Sequence, residues 1–544
     1  MLKLKAQIFC FFLFFTLIFT SCRDNKEQSG IETSNNSETT GILTDSETIS
    51  EFFADSIAAK DLFLQRSEEV AAFYSKRKFE PVWVNPKLRE SLFENIQNID
   101  KEGLDPEDYN IKYFEESLSN LENLNQEDKS RLEISLTDNF LQLAHHLYYG
   151  KLDPIKIFEI WDLKKDDVDL VRLLDKAINQ DDIDKTLNSI KPDHPVYLGL
   201  KKSLAEYAKL STEEENIATI TSGRTIKPDE NDPRIPAIAK RLEELGFSIK
   251  YDSLANKNNK EIQETIKEFQ LQYGIHVDGV IGPGTISSLN KGSKDRYHQI
   301  LANMERWRWF PRDFGDHYIL VNIPNYKLTV VKNKDTISTH KVMVGTQARK
   351  TPVFSDEIQY VVYNPTWTIP PTIKKKDVIP GAASNISYLK NRNLTVYDAN
   401  GNEVDPSTIN FGSGEGMNYT YRQKAGSSNP LGQVKIIYPN KYLIYLHDTP
   451  SKALFERNSR AESSGCVRVQ DAIELSKYLL KNRSEYSPER IDEIIASGKT
   501  KQIEVTQKVK VHHLYWTAWR ENGEARFTAD IYGTDKKIYD LLNE

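Results

Sequence analysis

The hydrophobic period of this 544-residue chain changes from three-and-four to two just after Trp307 and Trp309. No other feature constrains the fold as strongly, because a side chain returns to the same face about every 3.6 residues in a helix and every second residue in a strand. Helices gathered before one point and strands after it describe a multi-domain α+β chain, not alternating α/β units. From about 51 to 215 the pattern is helical: Leu132, Leu136, Phe140 and Leu143 follow one another along a single helix face. A helical domain is expected over 51–225. His145 and His146 lie on that helix, but neighbours in sequence cannot share a face and no acid or cysteine stands at ligand spacing, so no metal site is read there. Trp83, Tyr109, Tyr148, Tyr149 and Trp161 read as packing residues.

A new unit, expected over 226–294, opens at Asp232-Pro233, a cap followed by proline at the first helical position. Ile235, Ile238, Leu242 and Leu245 make one stripe that Gly246 can stop. Ile262, Ile266, Phe269 and Tyr273 make a second, stopped by Gly274. The turn-rich run Val277 to Thr285 then leads into a third short helix, Ile286 to Leu289. The FQxxxGxxxDGxxGxxT spacing, from Phe269 to Thr285, resembles the peptidoglycan-binding module of wall enzymes. A small helical spacer with tight turns is the plainer reading.

Beyond 312, Tyr318 to Ile323, Lys327 to Val331, His340 to Val344 and Gln359 to Thr368 read as strands between Asn, Asp and Gly turns. The stretch 374–430 is irregular and reads as an insertion, the usual form of a lid. Gln433 to Tyr438 and Tyr442 to Leu446 restore the strand pattern, and Ala472 to Leu480 reads as a helix. The β-domain is expected over 312–485. A C-terminal segment, 486–544, is expected to pack on it; it holds a strand-like run Gln502 to Val511 and then YWTAW and DIYG.

The chain has three cysteines. Lys3 and Lys5 precede a short apolar run, Ile8 to Phe19, which is well below the roughly 20 residues of a spanning helix. Cys10 lies inside it. Small residues lead into Cys22, as in a bacterial lipoprotein signal, and that resemblance implies cleavage after residue 21 and lipidation of Cys22. Arg23 stands where some Gram-negative lipoproteins carry an inner-membrane aspartate, which points to a periplasm-facing outer-membrane anchor. Residues 23–50 are polar and read as a disordered tether. The mature chain then holds one thiol, Cys466, and no internal disulfide, so folding rests on apolar burial. The net charge of −7 is spread along the chain and no basic stripe suggests nucleic acid.

Cys466 stands in Ser463-Ser464-Gly465-Cys466-Val467-Arg468, nineteen residues after His447. His447 ends a strand, and the cysteine segment begins a turn before a helix. A free thiol near pKa 8.5 is only a few per cent ionised at neutral pH, and a histidine partner raises that fraction. Protonated His447 would then serve the departing amine. Backbone N–H groups around Gly465 and Cys466 can hold an oxyanion, worth roughly 2.7–4 kcal/mol per donor. Arg468 either binds a substrate carboxylate or pins the loop. Asp448 points to the other strand face, so a backbone carbonyl is the expected orienter of His447. A buried structural thiol is the competing reading of Cys466.

HDTP, the nineteen-residue step and SSGCVRV together resemble the YkuD-type L,D-transpeptidases, and the order of parts resembles their large YcbB-like subgroup. The resemblance covers roughly 55–540. It implies a helical scaffold domain, a three-helix peptidoglycan-binding module and a mainly-β catalytic domain with an inserted cap. It implies that Cys466 attacks the carbonyl after the L-centre of diaminopimelate in a tetrapeptide stem, releasing D-alanine. A second stem's amine then takes the acyl group in a 3→3 crosslink, with His447 as base and acid. Ser464, Gly465 and Cys466 would frame the oxyanion site, and Trp367 and Tyr445 match aromatic positions of the substrate groove, though core packing also accounts for them. Arg468 and Thr449 are further expected substrate contacts. Carbapenem acylation of Cys466 is implied, and no metal or organic cofactor. Water as acceptor would make the same site an L,D-carboxypeptidase or endopeptidase; a wall-tethering lipoprotein without activity is the other rival.

Overall fold

The structure, a computed structural model, describes residues 43–544 apart from 55–61, 63, 214–217, 253 and 255. Cys10, Cys22 and the segment 1–42 lie outside the described residues. The tether was expected to run to 50. Instead Ser46–Ala54 is a helix that buries Ile49 and Phe52. No helix among the described residues is long and apolar enough to cross a membrane.

The first apolar core runs from Leu43 to Ile190. Its centre is the 24-residue helix Gln126–Tyr149, capped by the Asn125 side chain on the Asp128 N–H. His146 is used structurally there, its Nδ1 lying 2.8 Å from the Tyr109 hydroxyl. The helix Pro195–Glu213 was expected in the same domain. Tyr197, Leu200, Leu204 and Tyr207 instead bury into the second core, with the later domains.

The three expected helices of the next unit are Ile235–Glu244, Lys260–Gln272 and Pro283–Leu289. The first starts two residues beyond Pro233, because Asp232 already holds Arg234, accepting from its N–H at 3.0 Å and its Nε at 2.8 Å. Buried Gln270 explains the motif spacing. Its carbonyl accepts from the N–H groups of Asp278 and Gly279, and its amide donates to Asp278 Oδ1 and the Val280 carbonyl, all at 2.9 Å. One side chain thus ties the turn that follows its helix.

The strands are β1 (Trp161–Asp162), β2 (His317–Asn322), β3 (Lys327–Lys332), β4 (Asp335–Gly345), β5 (Val353–Glu357), β6 (Tyr360–Tyr363), β7 (Trp367–Thr368), β8 (Leu394–Tyr397), β9 (Glu403–Val404), β10 (Thr420–Gln423), β11 (Val434–Ile437), β12 (Leu446–His447), β13 (Ala461–Ser463), β14 (Val467–Val469), β15 (Lys501–Glu504), β16 (Lys510–Leu514), β17 (Ala518–Glu521) and β18 (Glu524–Phe527). Twelve form one sheet in the order β1-β5-β16-β2-β3-β4-β14-β12-β11-β6-β15, with β13 beside β4. Two features depart from expectation. The C-terminal segment supplies β15 and β16, so the sheet is incomplete at residue 485. The helical domain supplies β1, parallel to β5 with Trp161 opposite Val353.

The insertion is also more ordered than its sequence suggests. β7, β10, β8 and β9 form their own sheet over a small core that includes Val378, Leu389, Val396, Phe411 and Tyr421. It makes a cap beside the main sheet.

Helix Ser293–Trp309 ties the parts together. Fully buried Glu305 accepts from Arg308 at 2.5 Å and 3.0 Å, from the Leu152 N–H at 2.7 Å and from Trp309 Nε1 at 3.1 Å. Arg308 in turn donates to the Glu102 carbonyl at 2.7 Å.

Candidate active site

Cys466 sits in the short loop between β13 and β14. Gly465 has a φ of +113°, where side chains are rarely found, and a Cβ there would stand 3.4 Å from Ile444 Cδ1 and the Lys350 carbonyl. The loop is tied from below. The Ser463 hydroxyl donates to the Cys466 carbonyl at 2.6 Å and accepts from the Gly465 N–H at 3.1 Å. The Thr351 hydroxyl donates to the Gly465 carbonyl at 2.8 Å. Tyr532, from the DIYG motif, holds both sides of that tie: it accepts from the Thr351 N–H at 3.0 Å and donates to the Gly345 carbonyl at 2.8 Å. The Gly465 N–H is therefore committed to Ser463. Of the expected oxyanion donors, that leaves the Cys466 N–H.

β12 carries His447 parallel to β14, opposite Arg468, and β11 places Lys435 opposite His447 on the other side. The Nδ1 of His447 lies 2.5 Å from the Asp448 carbonyl. A carbonyl only accepts, so Nδ1 bears the proton and Nε2 presents its lone pair. Burial, with the charges of Arg468 and Lys435, pushes the imidazole down to about 3. Burial raises the Cys466 thiol, opposed by hydrogen bonds from the Tyr445 N–H and hydroxyl and by the charges of Lys435 and Arg468. The resting pair is thus thiol and neutral imidazole. In this structure the thiol donates to the Leu443 carbonyl at 3.6 Å.

That carbonyl belongs to a loop where a strand was expected. Asn440 accepts from the N–H groups of Tyr442 and Ile444, both at 3.1 Å, and donates to the Ile444 carbonyl at 2.8 Å. These bonds compete with the ladder and leave only Leu446–His447 as strand. Leu443 takes a φ of 57° in this loop.

Cys466, His447, Tyr445, Trp367, Arg468 and Ser464 all line one cavity of about 830 Å³ between the sheet and the cap. Thr449 does not. It is buried, and its hydroxyl accepts from the Ser451 N–H at 3.2 Å, which makes it part of the turn after β12. Asp448 faces away from the cavity, accepting from the Gln433 N–H at 2.9 Å and pairing with Lys452. A Cβ on Gly432, at φ +59°, would lie 2.3 Å from Asp448 Oδ2. Gly432→Ala should therefore lower stability by about 1–3 kcal/mol, read from the urea midpoint; a loss below about 0.5 kcal/mol would refute the clash.

Two residues of the site were missed in the sequence. Lys435 places its ammonium 3.8 Å from the centroid of the Tyr445 ring. Its only signal was a charge between two apolar neighbours in a strand. Arg349 donates to the Ser464 hydroxyl at 3.0 Å and pairs with Asp377 of the cap at 2.8 Å, so it joins cap to catalytic loop.

Three families match the chain: the "Scaffold domain" over residues 68–204, the "Putative peptidoglycan binding domain" over 231–289, and YkuD, the "L,D-transpeptidase catalytic domain", over 316–505. A curated "Putative L,D-transpeptidase" of Haemophilus influenzae is 39% identical over 241 residues, 44% of this chain and 48% of that protein. The match thus spans about half of the relative's length. Among solved structures, an L,D-transpeptidase of Xylanimonas cellulosilytica is 13% identical, covering 54% of this chain and 99% of that one at a TM-score of 0.17. One from Stackebrandtia nassauensis is 12% identical, covering 57% and 100% at a TM-score of 0.19. By its domains and its curated relative, the chain carries a YkuD-type L,D-transpeptidase catalytic domain behind a scaffold domain and a peptidoglycan-binding domain.

Proposed function

We propose that this protein is a lipid-anchored periplasmic enzyme, held at the outer membrane through Cys22, that forms 3→3 crosslinks between peptidoglycan stems. The observation that carries the reading is that Cys466 and His447 line one capped cavity, with the Nδ1 of His447 held by the Asp448 carbonyl so that its Nε2 can act as base. His447 Nε2 takes the thiol proton as the sulfur attacks the carbonyl after the L-centre of diaminopimelate in a tetrapeptide stem. The Cys466 N–H faces the developing oxyanion. The C–N bond breaks, the proton on His447 passes to the departing D-alanine, and a thioester remains. The side-chain amine of a second stem then takes the acyl group. The same sulfur is expected to take a carbapenem acyl group.

Purified tetrapeptide stems test this directly. Free D-alanine with a 3→3 dimer is the expected outcome. Release of D-alanine with tripeptide alone would replace the transferase by a carboxypeptidase, and no release would remove the activity. The pH dependence follows from the resting pair. The base form of His447 persists down to about pH 3, so lowering pH from 7 to about 5 does not protonate it. Carbapenem acylation, followed by intact mass, should stay flat across that range. An acid limb near 6.5 would mean that the base titrates as an ordinary histidine.

A further inference from the structure

Two reactants must reach one thioester, one as the acyl donor on Cys466 and one as the amine that relieves it. A second cavity, of about 290 Å³, opens beside the first on the other side of the catalytic loop. Arg349, Tyr442, Ile444 and Ser464 border both cavities, so the two are adjoining arms. Gly465, next to the nucleophile, borders the second arm, while Cys466 and His447 line the first, so the catalytic loop has one arm on each side.

The far wall of this second arm is not part of the catalytic domain. Phe158, Glu159 and Ile160 come from the helical domain, just before β1. The Val353 N–H donates to the Ile160 carbonyl at 3.4 Å, and β1 continues the pairing along β5, so the wall is fixed to the sheet. The lining carries three cations and one carboxylate, the exposed Glu159. Arg349 is occupied by Asp377 and Ser464. Lys350, whose ammonium lies 5.8 Å from the Tyr532 ring centroid, and exposed Lys376 of the cap are not ion-paired among the described residues. An arm with two uncommitted ammonium groups over apolar walls suits a peptide rich in carboxylates.

We propose that this second arm, walled by the helical domain, is the subsite for the acceptor stem peptide, with Lys350 and Lys376 binding its carboxylates. The proposal rests on the transpeptidase reading and supplies its second step. The neutral side-chain amine of the acceptor attacks the thioester carbonyl and forms the C–N bond. The C–S bond breaks with its electron pair on sulfur, and the proton lost by nitrogen passes through His447 Nε2 to that sulfur. Cys466 is a thiol again, and water is displaced from the arm while the acceptor fills it.

The test is the partition of the acyl group in the full chain given a tetrapeptide donor and an amine-bearing stem acceptor. The ratio of crosslinked dimer to hydrolysed tripeptide is read by mass spectrometry, and carbapenem acylation reports the first half-reaction separately. Lys350→Glu and Lys376→Glu should each lower the ratio, and together by about tenfold, since a like charge repels the acceptor's carboxylates. Arginine at either position should restore it. Ile160→Trp, which fills the arm from the helical domain, should lower it without any change of charge. If every variant acylates and partitions as the wild type does, the subsite is elsewhere. If the wild type itself fails to acylate, it is the transpeptidase reading that falls.

Discussion

Cys466→Ala is expected to lose covalent chemistry altogether: no carbapenem adduct by intact mass, and release of D-alanine reduced by about 10^4-fold or more. The argument is geometric. Among the described residues Cys466 is the free cysteine, and it lines the same cavity as a histidine whose Nδ1 proton is held by the Asp448 carbonyl. His447→Gln should cost a comparable factor, because the thiol is held above its ordinary pKa by burial and needs a base to ionise it. The double variant should be no worse than the worse single, since residues that act in one proton transfer fail together. An equal adduct on Cys466→Ala, or losses that multiply in the double variant, would overturn the pairing.

Glu305→Ala is expected to be the most damaging substitution away from the site, at about 3–5 kcal/mol of unfolding free energy. The carboxylate is fully buried and accepts from Arg308, Trp309 Nε1 and the Leu152 N–H. Removing it leaves a buried guanidinium without its counter-charge, and two N–H donors without an acceptor. Glu305→Gln keeps one acceptor oxygen but loses the charge and turns the other oxygen into a donor, and should fall between alanine and wild type. The urea midpoint checks both, and a loss under about 1 kcal/mol for alanine would show that water reaches the site. The effect should extend to both halves of the chain, because Arg308 also donates to the Glu102 carbonyl of the helical domain.

What the sequence made legible was local. The change of hydrophobic period after Trp309 and the contiguous motifs around His447 and Cys466 are short-range patterns, read without knowing what pairs with what. The cap was read as irregular because its strands are two to four residues long, too short for alternation to show, as in Trp367–Thr368 and Glu403–Val404. β15 and β16 were placed outside the catalytic domain because their partners, β6 for one and β2 and β5 for the other, lie more than a hundred residues away. Thr449 sits two residues from His447 in sequence, yet the turn after β12 carries it out of the cavity. Lys435 needed the register of β11 on β12 before its charge could be connected to His447.

The tie from Tyr532 to the catalytic loop has a consequence for how far the site depends on distant sequence. Tyr532 is itself placed by Tyr515, whose ring stacks on it and whose hydroxyl accepts its N–H at 3.0 Å. Both lie well beyond Cys466 in sequence, past the 316–505 stretch matched by the catalytic family. Without them, Thr351 and Gly345 keep their bond to each other, from the Gly345 N–H to the Thr351 hydroxyl at 2.9 Å, but the Gly465 turn loses the outer brace behind its ties to Ser463 and Thr351. The hold on the nucleophile's loop therefore reaches beyond the matched catalytic family, and a molecule clipped before Tyr515 carries a cysteine that is present but less firmly aimed.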